Sequence, residues 1–144
     1  MTEIVFISDF FADEIQGGAE LCNAALIGLL QKRYKVEKIK SVDMTPGAIL
    51  DNLDSFFIIA NFFLLPEPLK KIFIDKTKYV ILEHDHKYVK SNNPSLYKNF
   101  LAPEAQIINK DFYVNALAVM CQSKKHASVA VSYTHLTLPT NREV

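Results

Sequence analysis

Glu83-His84-Asp85-His86 sets four ionisable side chains in a row directly after the apolar run Tyr79-Val80-Ile81-Leu82. At the end of a buried strand, desolvation and neighbouring charge move the pKa values of such groups, and histidine already titrates near neutral pH. The pattern suits acid–base work or hydrogen bonding to a polar substrate, so Glu83, His84, Asp85 and His86 are the candidate catalytic residues. A solvated loop that stabilises itself accounts for the same four residues without any function. On an extended chain His84 and His86 would share a face, as metal ligands do, but no third ligand stands at a convincing spacing and no metal is expected.

Gly17-Gly18-Ala19-Glu20 places two residues without Cβ at the start of a helical stretch. Free backbone N–H groups and the helix dipole favour an anion there, so a phosphate or carboxylate could dock at Gly17 and Gly18, and Gly17, Gly18 and Glu20 are candidates for donor or acceptor binding. The pattern is neither Gly-x-Gly-x-x-Gly nor a Walker A loop, whose lysine is missing, so dinucleotide binding and simple NTP hydrolysis are disfavoured. A tight turn and helix cap explain the two glycines equally well. Ser123-Lys124-Lys125-His126 puts cations at a second helix start, where the dipole disfavours them unless a bound anion compensates. Gln122, Ser123 and Lys124 join the candidates, as does Asn61 after the third apolar run; a solvated lysine pair is the plainer account of the last motif.

The elements that must position these residues are legible from the pattern. Unalternated apolar runs at 4–8, 55–60, 79–82 and 117–121, with a further segment at 35–40, read as strands, several of them covered on both faces. Between them, Cys22, Ala25, Leu26, Leu29 and Leu30 recur at helical spacing over 19–33. Thr45-Pro46 reads as an N-cap followed by proline at the first helical position, opening a helix to about residue 52. Pro66-Glu67-Pro68 and Pro103-Glu104 open two more helices by the same logic, Asn92-Asn93-Pro94 marks a loop, and Ser123 caps a final helix. Strands alternating with helices predict an α/β fold: a Rossmann-like open parallel sheet of about five strands with helices on both faces. Ser8-Asp9, Asn61, Glu83 to His86 and Gln122-Ser123 would then lie at the carboxyl ends of strands, where such sheets bind ligands.

With 144 residues and 49% hydrophobic content, one domain with a real core is expected. Sixteen basic and 16 acidic residues balance, so no nucleic-acid partner is expected and any anion site must be local. Cys22 and Cys121 lack paired metal-ligand spacing and suit reduced, buried thiols. The amino terminus lacks a basic region before its apolar run, which ends after a strand's length. Neither a signal peptide nor a membrane span is expected, and the location would be cytoplasmic.

Residues 131–144 break off the last helix and resemble a peptide found when sequencing-adaptor DNA is translated in frame; the expected natural domain is 1–130, with 131–144 an artefactual tail. In order, Gly17-Gly18-Ala19-Glu20, Glu83-His84-Asp85-His86 and Ala118-Val119-Met120-Cys121-Gln122-Ser123 resemble the amino-terminal domain of the retaining GT-B glycosyltransferases of glycosyltransferase family 4. The resemblance implies transfer of a sugar from a nucleotide-sugar donor to a glycan, lipid or other acceptor, without metal or organic cofactor. Gly17 and Gly18 would let the backbone approach the donor, and His84 or His86 would contact the transferred sugar and acceptor. It also implies a missing carboxyl-terminal domain carrying a Glu-x7-Glu motif, a fragment inactive by itself, and a parent that can associate peripherally with the inner face of the cell membrane. Two other readings fit: a stand-alone flavodoxin-like or receiver-like module, although Asn61 stands where receiver chemistry wants an aspartate, and a non-catalytic interaction domain using Phe10, Phe11, Phe62 and Phe63.

Overall fold

The structure, a computed structural model, describes residues 3–134. Strands β1 (Glu3–Ser8), β2 (Lys35–Lys40), β3 (Phe56–Ile59), β4 (Tyr79–Leu82) and β5 (Val119–Met120) alternate with helices α1 (Gly18–Leu30), α2 (Pro46–Leu50), α3 (Glu67–Lys76), α4 (Lys110–Val114) and α5 (Lys124–Thr134). The strands form a parallel sheet in the order β2-β1-β3-β4-β5, an α/β Rossmann-like open sheet. The chain divides between Tyr79 and Val80 into two compact units.

In the first unit, β1 and β3 carry the core. Val5, Phe6, Ile7, Phe57 and Ile59 are at most 1% exposed, as unalternated apolar strands require. Phe73 of α3 packs edge-on against Phe57, ring centroids 5.2 Å apart, and against Tyr79 at 6.1 Å. The neighbour of β1 on the other side, β2, reads Lys-Val-Glu-Lys-Ile-Lys and is largely exposed; its charges discourage further strand pairing at this end of the sheet. The expected Thr45 cap is present, its Oγ1 accepting from the Ala48 N–H at 3.1 Å with Pro46 at the first helical position. Helix α1 buries Asn23 and Ile27 and leaves Leu29 exposed, so the apolar spacing at 22–30 does not mark its buried face. The reason lies in β1: buried Ser8 offers a hydroxyl, and Asn23 Nδ2 reaches it at 3.4 Å.

In the second unit, all four β4 residues are buried, and β5 is reduced to two residues paired Ile81 with Val119 and Leu82 with Met120. The helix expected at Pro103-Glu104 amounts to one 3-10 turn, Glu104–Gln106. Backbone pairing wins there: Lys90 N–H donates to Gln106 O and Ile108 N–H to Tyr88 O, both at 2.9 Å, pulling 106–108 into extended form. The helix starts late, at Lys110, after Asn109 in the left-handed region. Helix α5 runs through Thr134 instead of breaking at about 130, and the rest of the adaptor-like tail lies outside the described residues. Among the described residues no helix is long and apolar enough to cross a membrane.

Truncating the ring at the centre of the first unit, Phe73→Ala, should cost about 3–5 kcal/mol, measured by urea unfolding. A loss below about 1 kcal/mol would show that the site collapses and that the aromatic contacts carry little.

Candidate functional site

The acidic-histidine cluster folds into a corner held by its first residue. Glu83 is fully buried beyond the end of β4. Its Oε1 accepts from Lys87 Nζ at 2.8 Å, the Lys87 N–H at 3.2 Å and the Asp85 N–H at 3.1 Å, while Oε2 accepts from the Tyr113 hydroxyl of α4. Lys87 is 1% exposed, so this ion pair is removed from water. Burial alone would raise the Glu83 pKa; the charge of Lys87, its hydrogen bonds and that of Tyr113 outweigh it and hold the carboxyl below its ordinary value. Burial, reinforced by the Glu83 charge, pushes the Tyr113 hydroxyl well above its ordinary value. Asn109 Nδ2 ties the corner to α4 from the other side by donating to Lys87 O at 2.9 Å.

This arrangement sorts the four candidate catalytic residues. Glu83 is a buried, fully partnered carboxylate. Asp85 is half-buried and gives its N–H to Glu83. His84 meets Gln122, whose Nε2 lies 2.9 Å from His84 Nδ1. His86 adopts a positive φ of 51°, which breaks the extended geometry that would have placed both histidines on one face. Its Nδ1 instead hydrogen-bonds the Tyr88 hydroxyl, and its ring lies 4.2 Å, centroid to centroid, from His126.

His86 and His126 line a cleft of about 260 Å³ together with Asn93, Phe100, Ser123 and Lys125. Ser123 caps α5, its Oγ accepting the His126 N–H at 3.0 Å as the sequence suggested. Lys125, not Lys124, faces the cleft, with Nζ 4.3 Å from the centroid of the Phe100 ring. Burial lowers the pKa of both imidazoles. The neighbouring ring adds to this for His86; for His126, Lys87 and His84 add to it against the opposing pull of Glu83. His126 Nε2 is buried without a hydrogen-bond partner among the described residues. Lys87, Tyr113 and Phe100 were not recognisable in the sequence: a lysine after a charged run and aromatics in mixed segments carry no spacing signal.

The other candidates belong to the first unit. Neither glycine of the Gly17-Gly18 pair has a positive φ, so a left-handed turn does not explain them. A Cβ on Gly17 would come within 2.9 Å of the Glu20 carboxylate, whereas one on Gly18 would meet open space. Glu20 therefore supplies negative charge to the first turn of α1 and already complements its dipole. Asn61 is 8% exposed; its carbonyl accepts from Ser41 Oγ at 2.9 Å, and its Oδ1 has no partner among the described residues. Phe11 and Phe62 are buried, at 7% and 1%, which removes two of the four aromatics from the interaction surface expected for them; Phe63 is 51% exposed. Cys22 and Cys121 are free thiols, and burial pushes the Cys121 thiol up to about 12, leaving it unreactive at neutral pH. Among the described residues no three His, Cys, Asp or Glu side chains gather as a metal site would require. No protein-family model matches the chain, and no curated protein matches it significantly.

Removing one partner of the buried pair, Lys87→Met, should cost about 3–5 kcal/mol in chemical unfolding, and adding Glu83→Gln should restore much of it. Equal losses in single and double variants would contradict the pairing. The histidines add a pH dependence. Their folded pKa values lie below the ordinary 6.5, so the unfolded chain binds protons first and stability falls as pH drops below about 6.5. Melting temperature followed from pH 7.5 downward should show this loss, and the double variant His86→Gln, His126→Gln should flatten it. Glu83 adds a second loss only below its own ordinary value of 4.5.

Proposed function

We propose that the chain is the amino-terminal part of a GT-B glycosyltransferase whose full-length parent transfers a sugar from a nucleotide-sugar donor to a glycan, lipid or other acceptor with retention. What carries the reading is the order of three motifs on a parallel α/β sheet: a Gly-Gly-Ala-Glu turn after β1, the histidine corner after β4 and the Gln-Ser turn after β5. The parent works in the cytoplasm or at the inner face of the membrane, without metal or organic cofactor. Within the first unit the open space beside Gly18 suits an anionic group brought close to the backbone; within the second, His84 and His86 are the side chains this reading assigns to the transferred sugar and the acceptor hydroxyl. In the transfer the bond from the anomeric carbon to the diphosphate breaks, a bond to the acceptor oxygen forms, and the acceptor's proton leaves with the nucleoside diphosphate. Glu83 does not act on substrate in this reading; it sets the turn that carries His86.

A stand-alone flavodoxin-like module is the second reading, favoured by the strand order 2-1-3-4-5, which that class shares. Receiver-type chemistry is a poorer fit. The acid after β1, Asp9, is 4% exposed and its two oxygens accept the Phe63 and Leu64 N–H groups at 2.9 Å, leaving no open carboxylate there.

Sequencing the locus past codon 130 from independently prepared DNA separates the two. The glycosyltransferase reading expects a second α/β domain with a Glu-x7-Glu motif, and a stop codon close behind residue 130 would refute it. With the completed parent, UDP- and GDP-sugars should be consumed, and His86→Ala should lower turnover by at least about tenfold.

A further inference from the structure

We propose that the cleft beside α5 is a receptor for a phosphate monoester, a site that shares His86 with the proposed transfer reaction but does not rest on that reading. Its walls carry no carboxylate: the polar side chains that line it are Lys125, Ser123, His86, His126, Asn93 and Ser95. The first N–H groups of α5, at Lys124 and Lys125, have no acceptor within the helix and add the positive end of its dipole. That helix start is joined by an independent feature. His126 lines the cleft, and its Nε2 is buried without a partner among the described residues, an arrangement that costs free energy unless something completes it.

The cation in the lining is Lys125. Lys125 rests on the face of Phe100, so one side of the ammonium is held by the ring and the other is left for a ligand oxygen. Burial, Lys87 and a neighbouring imidazole hold His86 and His126 below the ordinary value against the opposing pull of Glu83 and Asp85, so both imidazoles favour the neutral form. A phosphate dianion shifts that balance toward protonation, and each imidazole that takes up a proton gains a charge-assisted hydrogen bond. Two cleft residues, His86 at φ 51° and Phe100 at φ 60°, hold the left-handed conformation that such side chains rarely adopt. At about 260 Å³ the cleft takes a phosphoryl group with a small organic body lying against Phe100 and Pro94.

The phosphate can belong to a soluble ester or to a lipid headgroup, and the test separates them. The full chain is titrated at pH 7 with inorganic phosphate, with glycerol 3-phosphate and with phosphatidylcholine vesicles carrying phosphatidic acid, at constant ionic strength. The imidazole resonances of His86 and His126 are followed by NMR, and vesicle binding by sedimentation. Saturable shifts of both resonances with either soluble ligand assign a soluble ester. Sedimentation with phosphatidic acid but not with phosphatidylcholine alone, without response to the soluble ligands, assigns a lipid. Lys125→Gln, at an exposed position that the fold tolerates, should weaken whichever binding is seen by about tenfold, and Lys110→Gln should leave it within about twofold. No response in any arm overturns the proposal. So does equal weakening by the two lysine variants, which would mark a diffuse surface charge effect.

Discussion

An ionised carboxylate taken out of water costs several kcal/mol unless a partner charge and hydrogen bonds replace its hydration, and Glu83 is fully buried. Four donors from three residues meet it: Lys87 through side chain and backbone, the Asp85 N–H and the Tyr113 hydroxyl. Because these donors come from the loop after β4 and from α4, satisfying one carboxylate dictates where both must lie. The turn through His86, the antiparallel bridge of Val89 with Ile107 and the late start of α4 after Asn109 follow from that constraint. In this sense Glu83 is the foundation of the cleft without belonging to its wall.

The same constraint separates residues that positioning alone makes look alike. Four ionisable groups in sequence have four different fates: a buried anchor, a partner for Gln122, a half-buried acid and a turned imidazole stacked near His126. A charged run at the end of a parallel strand is thus a mixture of scaffold and chemistry. The scaffold half is what lets the other half sit in a strained, defined geometry.

Much of the fold was legible in the residues. Buried strands announced themselves through unalternated apolar runs, and Thr45-Pro46 announced its helix through cap chemistry that is local to four residues. Features that depend on distant partners were not. Pro103 promises a helix locally, but the backbone groups of residues 106–108 find acceptors and donors at 88–90 and extend instead. Asn23 displaces leucines from the buried face of α1 because Ser8, 15 residues away, offers a buried hydroxyl. At the site, His86 and the Ser123 cap of α5 were visible from type and spacing. Tyr113, 30 residues from Glu83, and Phe100 beneath Lys125 had no local signature, since what defines them is a contact.

The state of Glu83 decides whether this description of the corner holds. A neutral acid at that position would need neither Lys87 nor the turn built around it. Carboxyl-carbon NMR of Glu83 followed through an acid titration reads that state directly. A midpoint below the ordinary value of 4.5 is the predicted result, with the Lys87 and Tyr113 donors holding the charge in place. A midpoint above that value would mean that burial wins, that the carboxyl is kept protonated, and that the ion pair does not organise the corner.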